Sequence, residues 1–189
     1  MQAKQILEHS ERLIDSAQVA AAVDQWALGI RQMIRTPDLV VLAVLRGGMI
    51  PATWLVSRLS QPLEMDCIHA TRYHGGTSGG ALEWVYRPTT ELRGRPVLVV
   101  DDIYDEGHTM QAVVQWCREQ DAASVHSAAL VRKLHDRGRP RDEIDFFALD
   151  VPDVYVFGCG MDCYEHWRHL PAIYQFNEAA ARDAAAPTE

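Results

Sequence analysis

Two adjacent carboxylates, Asp101 and Asp102, stand where an apolar segment meets a short loop. The preceding residues 97–100 have the β-branched content of a buried parallel strand. The loop contains Gly107, and a helical pattern starts at Thr109. In an open α/β sheet, ligands bind just beyond the carboxyl ends of the strands. Backbone N–H groups at a helix N-terminus bind phosphate, and carboxylates accept hydrogen bonds from hydroxyls or bind a cation. The stretch therefore predicts a site for a phosphorylated, hydroxyl-bearing ligand.

Hydrophobic periodicity predicts the elements that position this site. Ser16 is predicted as the N-cap of a helix that Thr36-Pro37 ends. Residues 11–14 fit either an edge strand or part of a first helix. Further helices are predicted at 51–59 and 109–120, and strands at 39–45, 63–73, 81–87, 97–102, 124–131, 144–149, 154–157 and 173–176. This alternation predicts one α/β domain over residues 1–189, a central, mostly parallel sheet flanked by helices, with a frayed tail at 177–189.

Charge and hydropathy exclude several classes of partner. The net charge of −8 argues against nucleic acid as the main partner. The longest uncharged apolar run, Leu39 to Leu45, is far shorter than the roughly 20 residues that a membrane span needs. The polar N-terminus lacks a signal-peptide pattern. We therefore expect a cytoplasmic protein whose four cysteines are thiols.

Residues 97–109 resemble the phosphoribosyl pyrophosphate signature of the type I phosphoribosyltransferases. Other segments resemble the hypoxanthine-guanine branch of that family, over roughly residues 10 to 176 in all. These segments are 45–48 (pyrophosphate loop), 72–80 (flexible catalytic loop), 151–158 (base-binding segment) and 161–168 (second magnesium segment). The resemblance implies the type I phosphoribosyltransferase fold, with a small hood built from the N-terminal segment and residues 150–176.

The resemblance also implies roles for the carboxylates and the loop. Asp101 and Asp102 would hold the ribose hydroxyls, and Asp105 would be the general base near purine N7. The 5-phosphate would be bound by the loop residues Asp105, Glu106, Gly107, His108 and Thr109.

Pyrophosphate and metal binding are implied in the same way. Arg46, Gly47 and Arg168 would bind the pyrophosphate leaving group. The cofactor would be Mg²⁺, held by Asp101, Asp102 and Asp162. The resemblance further implies a cis peptide between Leu45 and Arg46.

The purine base would contact Tyr155, by stacking, together with Val156 and Ile103. The family usually has a lysine that donates to the purine O6, and the aligned position in this chain is Glu143, which cannot donate when ionised. Lys133 and Arg141, in the same connection, are the alternatives for this role. Arg72 and Tyr73 would belong to a lid over residues 72–84, although a simple hairpin tip fits the same glycine-rich composition.

The function implied is purine salvage, the transfer of ribose 5-phosphate from phosphoribosyl pyrophosphate to hypoxanthine or guanine. The alternatives are a non-catalytic sensor of phosphoribosyl pyrophosphate and an enzyme for another base such as xanthine. The resemblance implies a homodimer or homotetramer without nucleic-acid or membrane partners. A zinc site at Cys159, Cys163, His166 and His169 is a weaker alternative based on spacing alone.

Overall fold

The computed structural model of the chain describes residues 3–72, 82–137 and 144–178. Across these residues, no helix is both long and apolar enough to cross a membrane. The elements in chain order are α1 (Ala3–Glu8), β1 (Ser10–Ile14), α2 (Ser16–Met33), β2 (Leu39–Val44), α3 (Met49–Val56), β3 (Leu63–Arg72), β4 (Leu82–Tyr86), β5 (Pro96–Tyr104), α4 (His108–Glu119), β6 (Ser124–Leu134), β7 (Phe146–Pro152), β8 (Val156–Phe157) and β9 (Ile173–Phe176).

The main sheet has six strands in the order β4-β3-β2-β5-β6-β7. Neighbouring strands from β3 to β7 pair in parallel, and only β4 pairs antiparallel, with β3. The carboxyl ends of β2, β5 and β6 therefore meet at one edge of the sheet, where an open α/β sheet binds its ligands. The predicted α/β fold with a mostly parallel central sheet is confirmed.

Strand β5 lies at the centre of the core because both of its faces are covered. Alternate side chains of a strand point to opposite faces. Val97 and Val99 pack on the side of α4, while Leu98 and Val100 pack in the cluster that contains residues of α2 and α3. All four are fully buried. Each such burial contributes about 1.5–3 kcal/mol relative to exposure, which anchors the strand that ends in the acid pair.

A second, three-stranded antiparallel sheet has the order β1-β9-β8. It joins the N-terminal strand β1 to β8 and β9, the strands on either side of residues 158–172. Residues 11–14 therefore form a strand and not part of a helix. A small core of Ile6, Phe157, Cys163 and Phe176 lies beside it. The Trp167 indole N–H donates to the carbonyl of Ala3 at 2.8 Å, which ties α1 to this part of the molecule.

The N-cap of α2 differs by one residue from the prediction. Asp15, not Ser16, caps the helix, and its carboxylate accepts from the Gln18 N–H at 2.9 Å. The Gln18 side-chain oxygen accepts from the Asp15 N–H at 3.0 Å, which completes a reciprocal capping box. Asp15 is favoured because its own backbone is extended, as an N-cap requires, and Ser16 is already helical.

Candidate active site

The loop after β2 lies directly against the acid pair at the end of β5. A Cβ atom built on Gly47 would lie 1.8 Å from Asp102 Oδ2, and one on Gly48 would lie 2.5 Å from the carbonyl oxygen of Val100. Only glycine allows the loop to approach this closely. The Leu45–Arg46 peptide that leads into the loop is cis, as the resemblance implies.

Asp101 and Asp102 are held in place by backbone donors. The Asp101 carboxylate accepts from the Asp102 N–H, and the Asp102 carboxylate accepts from the Ile103 N–H, each at 2.9 Å. Asp102 is only 8% exposed. Burial raises the pKa of both carboxyls, that of Asp101 well above its usual value, where the charge of Asp102 adds to the effect. The charged forms of both carboxyls therefore need positive charge or hydroxyl donors close to them.

The loop that follows β5 ends at a left-handed glycine. Gly107 has φ of +77° and stands at the N-cap of α4. A Cβ there would lie 2.6 Å from the Tyr104 hydroxyl oxygen, so both conformation and space require glycine. Thr109 lies in the first turn of the helix, and His108 Nε2 lies 3.4 Å from Glu106. A glycine cap offers no side-chain acceptor, so an anion can accept from the first N–H groups of α4.

Asp105 is surrounded by basic side chains from the end of β6 and the segment after it. Lys133 Nζ lies 3.0 Å from its Oδ2, and His135 Nε2 lies 2.6 Å from its Oδ1. Arg137 lies 3.7 Å away. Although burial opposes it, the hydrogen bonds and charges of Lys133 and His135 lower the pKa of the Asp105 carboxyl. Asp105 is therefore ionised at neutral pH and able to accept a proton or a hydrogen bond.

Two arginines line the same cavity as the acid pair, and each is engaged with an acidic partner. Arg46 Nη1 lies 2.9 Å from Glu165 Oε2, and Arg168 Nη2 lies 2.6 Å from Asp162 Oδ1. The Arg168 guanidinium also lies 3.9 Å from Glu165. Asp162 Oδ2 accepts from the Glu165 N–H at 2.9 Å. Carboxylate oxygens thus satisfy the two guanidiniums at the place where an anionic ligand would approach them.

Tyr155 and Val156 line a neighbouring cavity of about 190 Å³, together with Lys133 and Ile103. Tyr155 is half exposed, and its ring stacks at 14° on Tyr164 with centroids 6.5 Å apart. Burial raises the pKa of Tyr155 to about 12, so the ring stays neutral. A planar, half-exposed aromatic ring beside an ammonium donor can hold a flat heterocycle with a carbonyl group.

A second cavity of about 360 Å³ adjoins the first, and both are lined by Asp102, Ile103, Asp105 and Asp162. It brings together twelve of the residues singled out from the sequence, namely Arg46, Gly47, Asp101, Asp102, Ile103, Asp105, Glu106, Gly107, His108, Thr109, Asp162 and Arg168. Tyr155 and Val156 lie in the smaller cavity. The Arg72 side chain, Tyr73, Arg141 and Glu143 lie outside the described residues.

The carboxylates near the cavity suit Mg²⁺, which prefers hard oxygen ligands. Asp101 and Asp102 are buried acids whose charged forms need compensation, and Asp162 faces the same cavity. Within residues 3–72, 82–137 and 144–178, no three His, Cys, Asp or Glu side chains are grouped closely enough to enclose a metal ion. A cation held here would therefore take most of its ligands from water or substrate oxygens, as Mg²⁺ usually does.

His135, Arg137 and Glu165 have no role among those predicted from the sequence. Lys133, raised only as an alternative, lies on β6, which continues to Leu134 and so three residues beyond its predicted end. Basic residues at every second position, 133, 135 and 137, were the available signal, because alternate residues of an extended chain point to the same side.

The comparisons with known proteins agree with this geometry. The family model described as the phosphoribosyl transferase domain matches residues 9–166. A hypoxanthine-guanine phosphoribosyltransferase of Streptococcus pneumoniae is 35% identical over 136 residues, which cover 71% of this chain and 74% of the relative. One of Bacillus subtilis is 32% identical over the same shares of both chains. A crystal structure of a hypoxanthine-guanine phosphoribosyltransferase from Bacillus anthracis superposes with a TM-score of 0.82 at 26% identity, covering 88% of this chain and 98% of that one. The chain therefore belongs to the type I phosphoribosyltransferase family and resembles its hypoxanthine-guanine phosphoribosyltransferases.

Proposed function

We propose that this protein transfers ribose 5-phosphate from phosphoribosyl pyrophosphate to hypoxanthine or guanine, in purine salvage. The observation that carries the proposal is the adjacency of the two cavities. One is lined by the acid pair, the glycine-capped helix start and two arginines, and the other by Tyr155, Val156 and Lys133. A sugar phosphate and a flat base bound in them would meet at Asp105.

Each part of the donor has a matching group in the larger cavity. The buried carboxylates of Asp101 and Asp102 would accept hydrogen bonds from the ribose hydroxyls. The first N–H groups of α4 and the Thr109 hydroxyl would bind the 5-phosphate. Arg46 and Arg168 would bind the pyrophosphate, exchanging their pairs with Glu165 and Asp162 for phosphate oxygens.

The reaction breaks the bond between ribose C1 and the pyrophosphate oxygen and forms a bond between C1 and purine N9. The electron pair of the broken bond leaves on pyrophosphate, so donors that strengthen as this charge develops favour the transition state. Mg²⁺ bound near Asp101 and Asp102, and a second Mg²⁺ at Asp162, would supply further positive charge to the pyrophosphate oxygens. Asp105 accepts the proton that the purine loses, since its carboxylate is ionised at neutral pH.

The base would lie against the Tyr155 ring, with Lys133 as the donor to its exocyclic oxygen. Lys133 is one of the two alternatives that the sequence offered in place of Glu143. It lines the base cavity, and its Nζ lies 3.0 Å from Asp105 Oδ2. An ammonium group donates to the carbonyl of hypoxanthine, guanine or xanthine but clashes electrostatically with the amino group of adenine. We therefore propose a preference for 6-oxopurines.

A purine panel tests the proposal. Hypoxanthine, guanine, xanthine and adenine are each supplied with phosphoribosyl pyrophosphate and Mg²⁺, and pyrophosphate release is followed. We expect turnover with hypoxanthine or guanine and, in Asp105→Asn, a loss of about 10²–10⁴-fold in kcat. No turnover with any base would contradict the transferase, and turnover with adenine or xanthine alone would contradict the substrate. The cytoplasmic location and the homo-oligomeric state stay predictions.

A further inference from the structure

His135 is the buried partner of Asp105. Its side chain is only 4% exposed, and its Nε2 lies 2.6 Å from Asp105 Oδ1. The other ring nitrogen, Nδ1, accepts from the backbone N–H of Arg137 at 3.0 Å. A nitrogen that accepts this bond carries no proton, so the contacts assign the ring as the Nε2–H tautomer. His135 therefore donates to Asp105 from a ring whose two nitrogens are both engaged.

The two oxygens of Asp105 have donors of different kinds. Oδ1 accepts a hydrogen bond from the buried imidazole, whereas Oδ2 accepts one from the ammonium group of Lys133. Among the described residues, the other charged groups near this cluster are Arg137, 3.7 Å from Oδ1, and Asp153, which pairs with Arg137 and lies 4.0 Å from Lys133. Besides the hydrogen bond with Asp153, the charge of Glu106 also acts on Arg137 and raises its pKa. Lys133 thus divides its charge between Asp105 and Asp153, whereas the imidazole is bonded to Asp105 alone among acids of the described residues.

We propose that His135 is a positioning residue, which holds Oδ1 of Asp105 so that Oδ2 faces the base when Lys133 turns to the purine oxygen. The inference rests on the proposed function, in which Lys133 leaves Oδ2 to donate to the base. The carboxylate then keeps one fixed donor on Oδ1, and Oδ2 becomes the acceptor for the purine proton. No bond to His135 forms or breaks in the reaction, and the proton stays on Asp105.

A purely structural role would make a different prediction. If His135 only packed the segment after β6, a side chain of similar volume would replace it without any change in the titration of Asp105. If the ring orients Asp105, loss of its donor removes one of the hydrogen bonds that lower the Asp105 pKa. The acid limb of the pH profile then moves to higher pH, because the carboxylate is protonated more readily.

The test compares His135→Leu, which removes the donor, with His135→Gln, whose amide can donate from nearly the place of Nε2. Asp136→Asn, a change at the exposed neighbouring residue, is the matched control. For each protein, kcat and KM are measured from acid to alkaline pH with hypoxanthine, phosphoribosyl pyrophosphate and Mg²⁺. We expect His135→Leu to lower kcat by about 10- to 100-fold, as a misplaced catalytic group does. We also expect its acid limb at higher pH, an unchanged KM for phosphoribosyl pyrophosphate, and recovery in His135→Gln.

Two outcomes overturn the inference. One is a His135→Leu enzyme with wild-type kcat and acid limb, and the other is a His135→Gln enzyme as impaired as His135→Leu. Nitrogen NMR of the ligand-free wild type gives a readout that needs neither turnover nor a folded variant. We expect the Nε2–H tautomer for His135, and the Nδ1–H tautomer would overturn the inference. An inactive wild type with the Nε2–H tautomer would instead contradict the proposed function.

Discussion

Gly47→Ala is the most direct perturbation of the loop that approaches the acid pair. The added methyl group would lie 1.8 Å from Oδ2 and 2.3 Å from Cγ of Asp102. The carboxylate has little room to retreat, because it is 8% exposed and its Oδ1 accepts from the Ile103 N–H. Gly160 is also packed tightly here, since a Cβ built on it would lie 3.0 Å from the Asp102 Cβ and 2.3 Å from the Gly47 carbonyl oxygen. The overlap must therefore displace either the loop or the acid.

Overpacking of this kind costs about 1–3 kcal/mol. In a chain of 189 residues, that free energy lowers the melting temperature by about 2–12 °C. If the displacement is felt mainly when the ribose and pyrophosphate bind, the same energy lowers kcat/KM for phosphoribosyl pyrophosphate by about 5- to 150-fold. Steady-state kinetics and thermal unfolding of the purified variant measure the two effects separately.

Gly29→Ala is the matched control. This glycine lies inside α2, and an added Cβ there meets no atom within 4 Å. Alanine should therefore stabilise the helix by about 0.5–1 kcal/mol and leave kcat/KM unchanged. A Gly47→Ala enzyme with wild-type kcat/KM and melting temperature would refute the reasoning, because the loop would then not need its close approach to Asp102.

Three further predictions concern charged and buried groups. Glu165→Gln should lower the KM for phosphoribosyl pyrophosphate by up to about 5-fold. The exposed Arg46–Glu165 pair competes with the ligand for Arg46, and such a pair is worth about 0.2–1 kcal/mol. A raised KM would contradict this prediction. Asp66→Asn should lower the free energy of unfolding in urea by about 1–3 kcal/mol, because Asp66 accepts from the Cys67, Thr89 and Thr90 N–H groups and the Thr90 hydroxyl. Although burial opposes it, these bonds lower the pKa of Asp66 in the folded state. The contribution of Asp66 to the free energy of unfolding is therefore full above about pH 3.9, and it is lost as the pH falls through the pKa of the folded state. An Asp66→Asn variant with the wild-type pH dependence of stability would refute this. A thiol reagent at pH 8 should label Cys67 before the other cysteines, because Cys67 is partly exposed whereas Cys117, Cys159 and Cys163 are buried. Burial also raises the pKa of Cys117 and Cys159 to about 12 and that of Cys163 to about 11, while burial and Asp66 raise the pKa of Cys67. Early labelling of a second thiol in the native protein would contradict this prediction.

Local patterns explain why the central part of the fold was predictable. The apolar run before Asp101 has one physical solution, a strand buried on both faces, and β5 is that strand. Gly107 and Thr109 mark the start of α4 through turn geometry that depends only on neighbouring residues. The residues that line the larger cavity were predictable from these elements, because parallel strands bring their carboxyl ends to one edge of the sheet.

The partners of Asp105 were harder to predict, since they depend on the pairing of β5 with β6. His135 lies 30 positions after Asp105, and its contact requires β6 to extend through Leu134. The charged composition of residues 133–142 indicated a connection, yet Lys133 pairs in register with Val151 of β7. Tertiary hydrogen bonding outweighed local propensity at that point.

The central claim is that a ribose phosphate is transferred and not merely bound or hydrolysed. The most direct measurement incubates the protein with hypoxanthine, phosphoribosyl pyrophosphate and Mg²⁺ and quantifies the nucleotide and the pyrophosphate together. Transfer predicts equal molar amounts of the two products, and about 10²–10⁴-fold less of both when Asp105→Asn replaces the wild type over the same time. Pyrophosphate without nucleotide, or neither product, would contradict the claim.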